Sequence, residues 1–147
     1  MTKTPVGKVL ALFVSHKNVP NRVPKESLEL DSLGIIDNKF YDKEVQRSVL
    51  LASKESYDLA KAHNINIDYG LLGENIVMDF NPYSMNPGEK LIIGSCILEI
   101  SQHCTLCKGL SAVNSKLPKL LKEDRGIFSK VVQDGQISLN DTIYILK

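Results

Sequence analysis

Arginine is scarce in this chain. Of 18 cationic side chains only three are arginine, Arg22, Arg47 and Arg125. A chain that uses lysine wherever a solvated charge suffices raises, at each arginine, the question of a planar or bidentate contact. The bland alternative is that a lysine-rich composition leaves few arginines. An excess of one charge sign is missing as well: 18 Lys and Arg stand against 17 Asp and Glu, a formal net charge of +1. That balance argues against nucleic acid as a main partner, because binding a phosphate backbone needs clustered, uncompensated cations. No apolar run approaches the ~20 residues that span a bilayer. The N-terminal Met-Thr-Lys-Thr-Pro-Val-Gly lacks the long apolar stretch of a secretion signal. With three cysteines there is no disulfide framework, and the odd count fits a reducing compartment. These absences predict a cytoplasmic, soluble protein without membrane or nucleic-acid partners.

What is present fits one folded domain over residues 1–147: 43% of residues are hydrophobic and 24% charged, enough for a core and a solvated surface. Periodicity favours strands. Val6 to His16 reads as a buried strand, Ser27 to Leu30 alternates before a turn, and Val45 to Ala52 reads as a strand with Arg47 embedded in it. Lys54 to His63 is the clearest helix, with Ser53 as N-cap and Asn64 as stop. Ile76, Met78 and Phe80 alternate before Asn81-Pro82. Leu91 to Ile93 and Cys96 to Ile100 flank Gly94-Ser95 as a hairpin. A short helix is expected over Leu117 to Lys122, where Pro118 suits a first turn. Ile127 to Val132 and Thr142 to Leu146 are the last strands, and Asp134-Gly135 is a hairpin-turn signal. Seven or eight short strands with one or two peripheral helices predict a mainly β fold, a closed or nearly closed β-barrel. A doubly wound α/β fold would need several strong amphipathic helices, which the chain does not have.

Chemistry must then come from polar residues in turns. Gly73-Glu74-Asn75 ends a loop just before a strand, and pairs close backbone approach with hydrogen-bonding side chains. Taken alone, it reads as a turn in which Asn holds backbone. His103-Cys104-Thr105-Leu106-Cys107-Lys108 follows a strand, and Asp124-Arg125-Gly126-Ile127 marks a helix-to-strand passage. The Cys-x-x-Cys has no second pair to complete a zinc site, and His103 with His16 or His63 is a weak substitute. A thioredoxin-like pair needs a βαβ context. Cys96 alternates with Leu98 and Ile100 and reads as a small buried hydrophobe. Cys107 differs, because Lys108 and His103 can lower a thiol pKa and the segment is a loop.

Five motifs in order carry a family resemblance: Gly73-Glu74-Asn75; Pro87-Gly88 with Lys90-Leu91-Ile92-Ile93-Gly94; Leu98-Glu99-Ile100-Ser101-Gln102; a cysteine; and Arg125-Gly126-Ile127-Phe128-Ser129-Lys130-Val131. Together they resemble the MOSC domain, the molybdenum cofactor sulfurase C-terminal domain family. Upstream, Leu33 to Ile36 and Val45 to Leu51 resemble the family's early Gly-Ile turn and its Arg-bearing strand. The resemblance runs from about Val6 to Tyr144 and implies a β-barrel, matching the strand count.

The resemblance also implies a role with molybdenum cofactor (molybdopterin). Counting from Gln102 places the family cysteine at Cys107 rather than Cys104, as a sulfur carrier forming a persulfide or as a molybdenum ligand. Asn75, Glu74, Arg125 and Arg47 become cofactor-binding candidates; Arg47 is balanced between such a role and pairing with a surface carboxylate. Chemically, Arg suits a phosphate or pterin edge, Asn suits ring amides, and a thiolate suits a soft metal. Two departures stand out: Asp37-Asn38-Lys39-Phe40 replaces the Gly-Asp-x-His common in relatives, and Asn140-Asp141 replaces a Gly-Asp turn. The first places catalytic competence in more doubt than cofactor binding. Three functions are implied. One is sulfur transfer from a pyridoxal phosphate-dependent cysteine desulfurase. Another is handling of molybdopterin during biosynthesis. The last is a molybdenum-dependent reductase component for N-hydroxylated compounds. Without a ferredoxin-type cysteine cluster or a flavin or nicotinamide fingerprint, a reductase would borrow electrons from a redox partner protein. That slightly favours handling or sulfur transfer.

Overall fold

The computed structural model describes residues 2–20, 22–103, 116–121 and 126–146. Among them are eleven strands: β1 (Lys3–Val14), β2 (Val23–Lys25), β3 (Ser27–Asp31), β4 (Gly34–Ile35), β5 (Val49–Ser53), β6 (Ile76–Met78), β7 (Lys90–Ile93), β8 (Cys96–His103), β9 (Ile127–Gln133), β10 (Gly135–Ser138) and β11 (Thr142–Leu146). Seven of them close on themselves in the order β1, β11, β7, β8, β9, β5, β6 and back to β1. All pairs are antiparallel except β5 with β6. Closure leaves the seven strands without a free edge among themselves, which removes the aggregation hazard of an open sheet. The predicted β-barrel is therefore the observed fold.

β1 makes closure possible by bending. Its first half pairs with β11, from Lys3↔Leu146 to Lys8↔Thr142, and its second half pairs with β6 from Val9 to Leu12. Register irregularities at Pro5/Gly7 and Val9/Ala11 supply the bends, as bulges do in barrels. β2 pairs antiparallel with the end of β1, at Leu12 to Val14. A separate three-stranded sheet, β10-β3-β4, lays Leu28, Leu30, Ile35 and Ile137 on the barrel core. Fully buried Leu51, Ile76, Leu98 and Ile127 come from neighbouring barrel strands. At about 25 cal/mol per Å², such apolar burial is the main force holding the fold.

The helix α1 (Lys54–Ala62) begins where expected: Ser53 caps it by accepting a hydrogen bond from Glu55 N at 3.0 Å. Left-handed Asn64 follows its end. A second apolar layer, made of Tyr57, Ala60, Ile65, Leu72 and Leu121, packs on Val77 outside the barrel. A one-turn helix, Leu117–Leu120, leads into Leu121. No helix among the described residues is long and apolar enough to cross a membrane.

Three local expectations change. Arg47 is not in a strand: Val45–Arg47 is a 3-10 turn, and β5 starts at Val49. Ser48 closes that turn, donating from Oγ to Val45 O at 2.8 Å, a local bond that competes with the ladder. Asp134-Gly135 does not make a hairpin, because β9 stays in the barrel while β10 leaves to pair with β3. Burial of Ile137 opposite Leu28 outweighs the local turn signal. β6 ends at Met78, and its three residues are all buried rather than alternating, since Val77 meets the outer apolar layer.

Candidate functional site

The Gly-Glu-Asn segment meets the N-terminal half of β5. Asn75 stands just before β6 and stitches its two neighbouring strands together. Its Oδ1 accepts from Leu50 N at 3.0 Å, and its Nδ2 donates to Phe13 O at 3.2 Å. Its backbone does the same, N to Leu50 O at 2.9 Å and O from Phe13 N at 2.8 Å. The side chain is 4% exposed, so both ends of the amide are already in use between β1 and β5.

Glu74 is fully buried. Its Oε2 accepts a very short hydrogen bond from the Tyr57 hydroxyl, while Oε1 has no partner among the described residues. Tyr57 Oη in turn accepts from Gly70 N at 3.1 Å and Leu72 N at 3.5 Å, fixing the loop ahead of Gly73. Burial raises the Glu74 pKa above the ordinary carboxylate value, with the Tyr57 hydrogen bond and the Arg22 charge acting in the opposite direction. Burial, then Glu74, likewise push the Tyr57 phenol upward.

Arg22 completes this group. Gly73, with φ of +88°, lets the guanidinium in: a Cβ there would lie 3.3 Å from Arg22 Nη2. Half-buried Arg22 feels the Glu74 charge without forming a close ion pair, and donates no hydrogen bond to another described residue. Arginine scarcity flagged Arg22, but no motif placed it here. Tyr57 falls within the expected helix Lys54 to His63, but no motif marked it as part of this group.

Arg47 lies on the other flank of β5. Its guanidinium stacks on the Phe128 ring at 4.6 Å, a cation–π geometry, and meets Glu44 only at 3.7 Å. The side chain is 43% exposed, leaving N–H groups for a ligand. Arg47 and Asn75 thus lie on opposite flanks of the start of β5, with Glu74 and Tyr57 in the loop next to Asn75 and Arg22 against Gly73. Cys107 and Arg125 lie outside the described residues, as do Cys104 and Lys108. Their described neighbours are close to this region. Gly126, at φ +108°, backs onto β5 so tightly that a Cβ would be 2.7 Å from Leu51 O, and His103 pairs with Ile127. His103 also donates from Nε2 to Tyr83 O at 2.6 Å, which commits one ring nitrogen. Cys96, at the opposite end of β8 from His103, is fully buried, and its thiol is pushed up to about 12, chiefly by burial and then by Asp134. Among the described residues no group of three or more His, Cys, Asp or Glu is placed to hold a metal ion.

Comparison with known proteins bears on this arrangement. The model of the MOSC domain family matches residues 37–144, most of the chain and all of the strands around β5. The chain belongs to the MOSC domain family. The YUAD protein from Bacillus subtilis has a similar structure, with a TM-score of 0.85 over 98% of this chain and 97% of that one at 15% identity. YiiM from Geobacillus stearothermophilus gives 0.71 over 99% and 76% at 13% identity, and YiiM from Escherichia coli 0.68 over 95% and 70% at 16%. At such identities the likeness is one of fold. No curated protein matches the sequence. Membership places this MOSC chain in a family associated with molybdenum-cofactor handling.

Proposed function

We propose that this MOSC domain binds molybdenum cofactor (molybdopterin) beside the start of β5 and acts in cofactor handling or sulfuration through Cys107. The observation that carries the reading is a pair of guanidiniums near β5: Arg22 against Gly73 of the Gly-Glu-Asn segment, and Arg47 on the other flank, 43% exposed and paired only with Glu44 at 3.7 Å among the described residues. The donor set fits a ligand with a phosphate and a hydrogen-bonding heterocycle. Arg47 and Arg125 would supply planar forks for phosphate or ring edges. Asn75, whose side chain is taken up by Leu50 and Phe13, and Glu74, held by Tyr57, set the loop that shapes the site. When bound, the cofactor supplies a thiophilic molybdenum centre, for which a Cys107 thiolate is a suitable ligand.

For sulfur transfer the chain's own step is simple. The Cys107 thiolate attacks the outer sulfur of a persulfide on a cysteine desulfurase. The donor's S–S bond breaks, a new one forms at Cys107, and the donor cysteine leaves as thiolate. Lys108 next in sequence favours the thiolate form electrostatically.

Arg125→Lys tests the binding site. Charge is kept but the fork is lost, so molybdopterin affinity should fall by about ten- to a hundredfold, roughly 1.5–3 kcal/mol. Equal titration curves for wild type and Arg125→Lys would remove Arg125 from the site.

A further inference from the structure

The Asp37-Asn38-Lys39-Phe40 segment, where relatives commonly carry Gly-Asp-x-His, forms one wall of a separate open groove. The groove has a volume of about 650 Å³ and is lined by His16, Lys17, Asp37, Asn38, Lys39, Phe40 and Lys43. Its wall is held rigidly at the end of β1. Asn38 Oδ1 accepts from Ser15 N at 2.8 Å, and Lys39 N donates to Ser15 O at 2.7 Å.

Charge in the groove is one-sided. The single carboxylate, Asp37, is taken up by His16 at 3.0 Å and Lys25 at 3.5 Å. Lys17 and Lys43 have no acidic partner among the described residues, and the Lys39 ammonium rests only over the Phe40 ring, 5.0 Å from its centre. Three lysines therefore line the groove without an acidic partner among the described residues. Asn38 adds an independent signal. It is 5% exposed, and its Nδ2 is a buried donor with no acceptor among the described residues. An unpaired buried donor is costly and native proteins rarely leave one. Beside these groups, Phe40 keeps 44% of its surface exposed.

We infer that this groove is a second ligand site, distinct from the groups around β5, for a small aromatic dianion of the aryl phosphate class. The lysines match a doubly charged head group through charge-assisted hydrogen bonds, and Phe40 offers a flat apolar face to the ring. Because the wall is pinned to β1 before any ligand arrives, little ordering is needed on binding. Asp37, Asn38 and Phe40 stand where the resembled motif has Gly, Asp and His, while Lys39 falls at its variable position.

The test is a backbone-amide NMR titration of the full chain with phenyl phosphate and, separately, inorganic phosphate. Saturable shifts centred on residues 16–17 and 37–43 are expected, with phenyl phosphate binding at least about threefold more tightly. Phe40→Ala should erase that preference while leaving inorganic phosphate binding in place. Lys39→Gln with Lys43→Gln should weaken both ligands by about tenfold, and raised salt should do the same in wild type. Arg22→Gln and Arg47→Gln should change nothing here, which separates this site from the proposed cofactor site. Unsaturable shifts, shifts centred on Arg47 and Asn75, or an unchanged double lysine variant would overturn the inference. So would an acidic peptide that occupies the same face more tightly than phenyl phosphate.

Discussion

Replacing Glu74 by Gln isolates the energetic consequence of burying a carboxyl in the Gly-Glu-Asn loop. Glutamine keeps the shape, can still accept the Tyr57 hydroxyl, and puts an amide where Oε1 lacks a partner among the described residues. What it removes is titration. Burial holds the Glu74 pKa above the ordinary value of 4.5, so the folded state keeps a proton that the unfolded chain releases. The sign follows directly: this contribution is fully present below pH 4.5, where both states are protonated, and is lost as pH rises through the folded-state pKa. Across that window wild type should lose stability relative to Glu74→Gln by up to about 1.4 kcal/mol per pH unit. Urea unfolding of both proteins between pH 4 and 8 measures it. The difference should move in favour of Glu74→Gln as pH rises above 4.5 and level off once pH passes the folded-state pKa. Adding Arg22→Gln to the wild-type background should widen the window, because the Arg22 charge opposes the upward shift. A wild-type minus variant difference that stays constant over this range would refute the reasoning.

Two further outcomes follow from neighbouring geometry. Asn75→Ala strands Leu50 N and Phe13 O in a buried setting and should cost about 2–4 kcal/mol in denaturant unfolding, independently of any ligand; a loss under 0.5 kcal/mol would show that the stitch contributes nothing. Cys107 should alkylate faster than Cys96 at neutral pH, since Cys96 is fully buried with its thiol pushed up to about 12 while Cys107 neighbours Lys108. Mass spectrometry after limited labelling reads this out, and preferential modification of Cys96 would contradict it.

The barrel was legible because short alternating strands separated by Gly, Pro and Asn turns leave few other ways to bury apolar faces. The α1 boundaries were legible too, since Ser53 and Asn64 act locally. Arg47 was misplaced because Val45, Val49, Leu50 and Leu51 surround it with β-forming residues, while the Ser48 bond that winds the turn depends on one hydroxyl. Asp134-Gly135 misled for the converse reason: a strong two-residue signal gave way to a distant partner, β3, that no local window contains. At the site, Gly73 to Asn75 stood out as a motif, but the direction of each side chain did not. Asn75 facing Leu50 and Phe13, and Glu74 facing Tyr57 from seventeen residues away, are products of tertiary packing. Arg22 was noticed for its rarity and placed only by the fold.

The central claim is that this MOSC domain carries molybdenum cofactor beside the start of β5. Protein purified from a molybdate-supplied host, analysed for metal and for released pterin, tests it most directly. Molybdenum and pterin should co-purify in near-equal amounts with wild type and fall sharply in Arg47→Ala and Cys107→Ser, while Lys39→Gln, at the separate groove, keeps them. Wild-type protein that carries neither molybdenum nor pterin, and takes up neither when offered molybdopterin, would contradict the account.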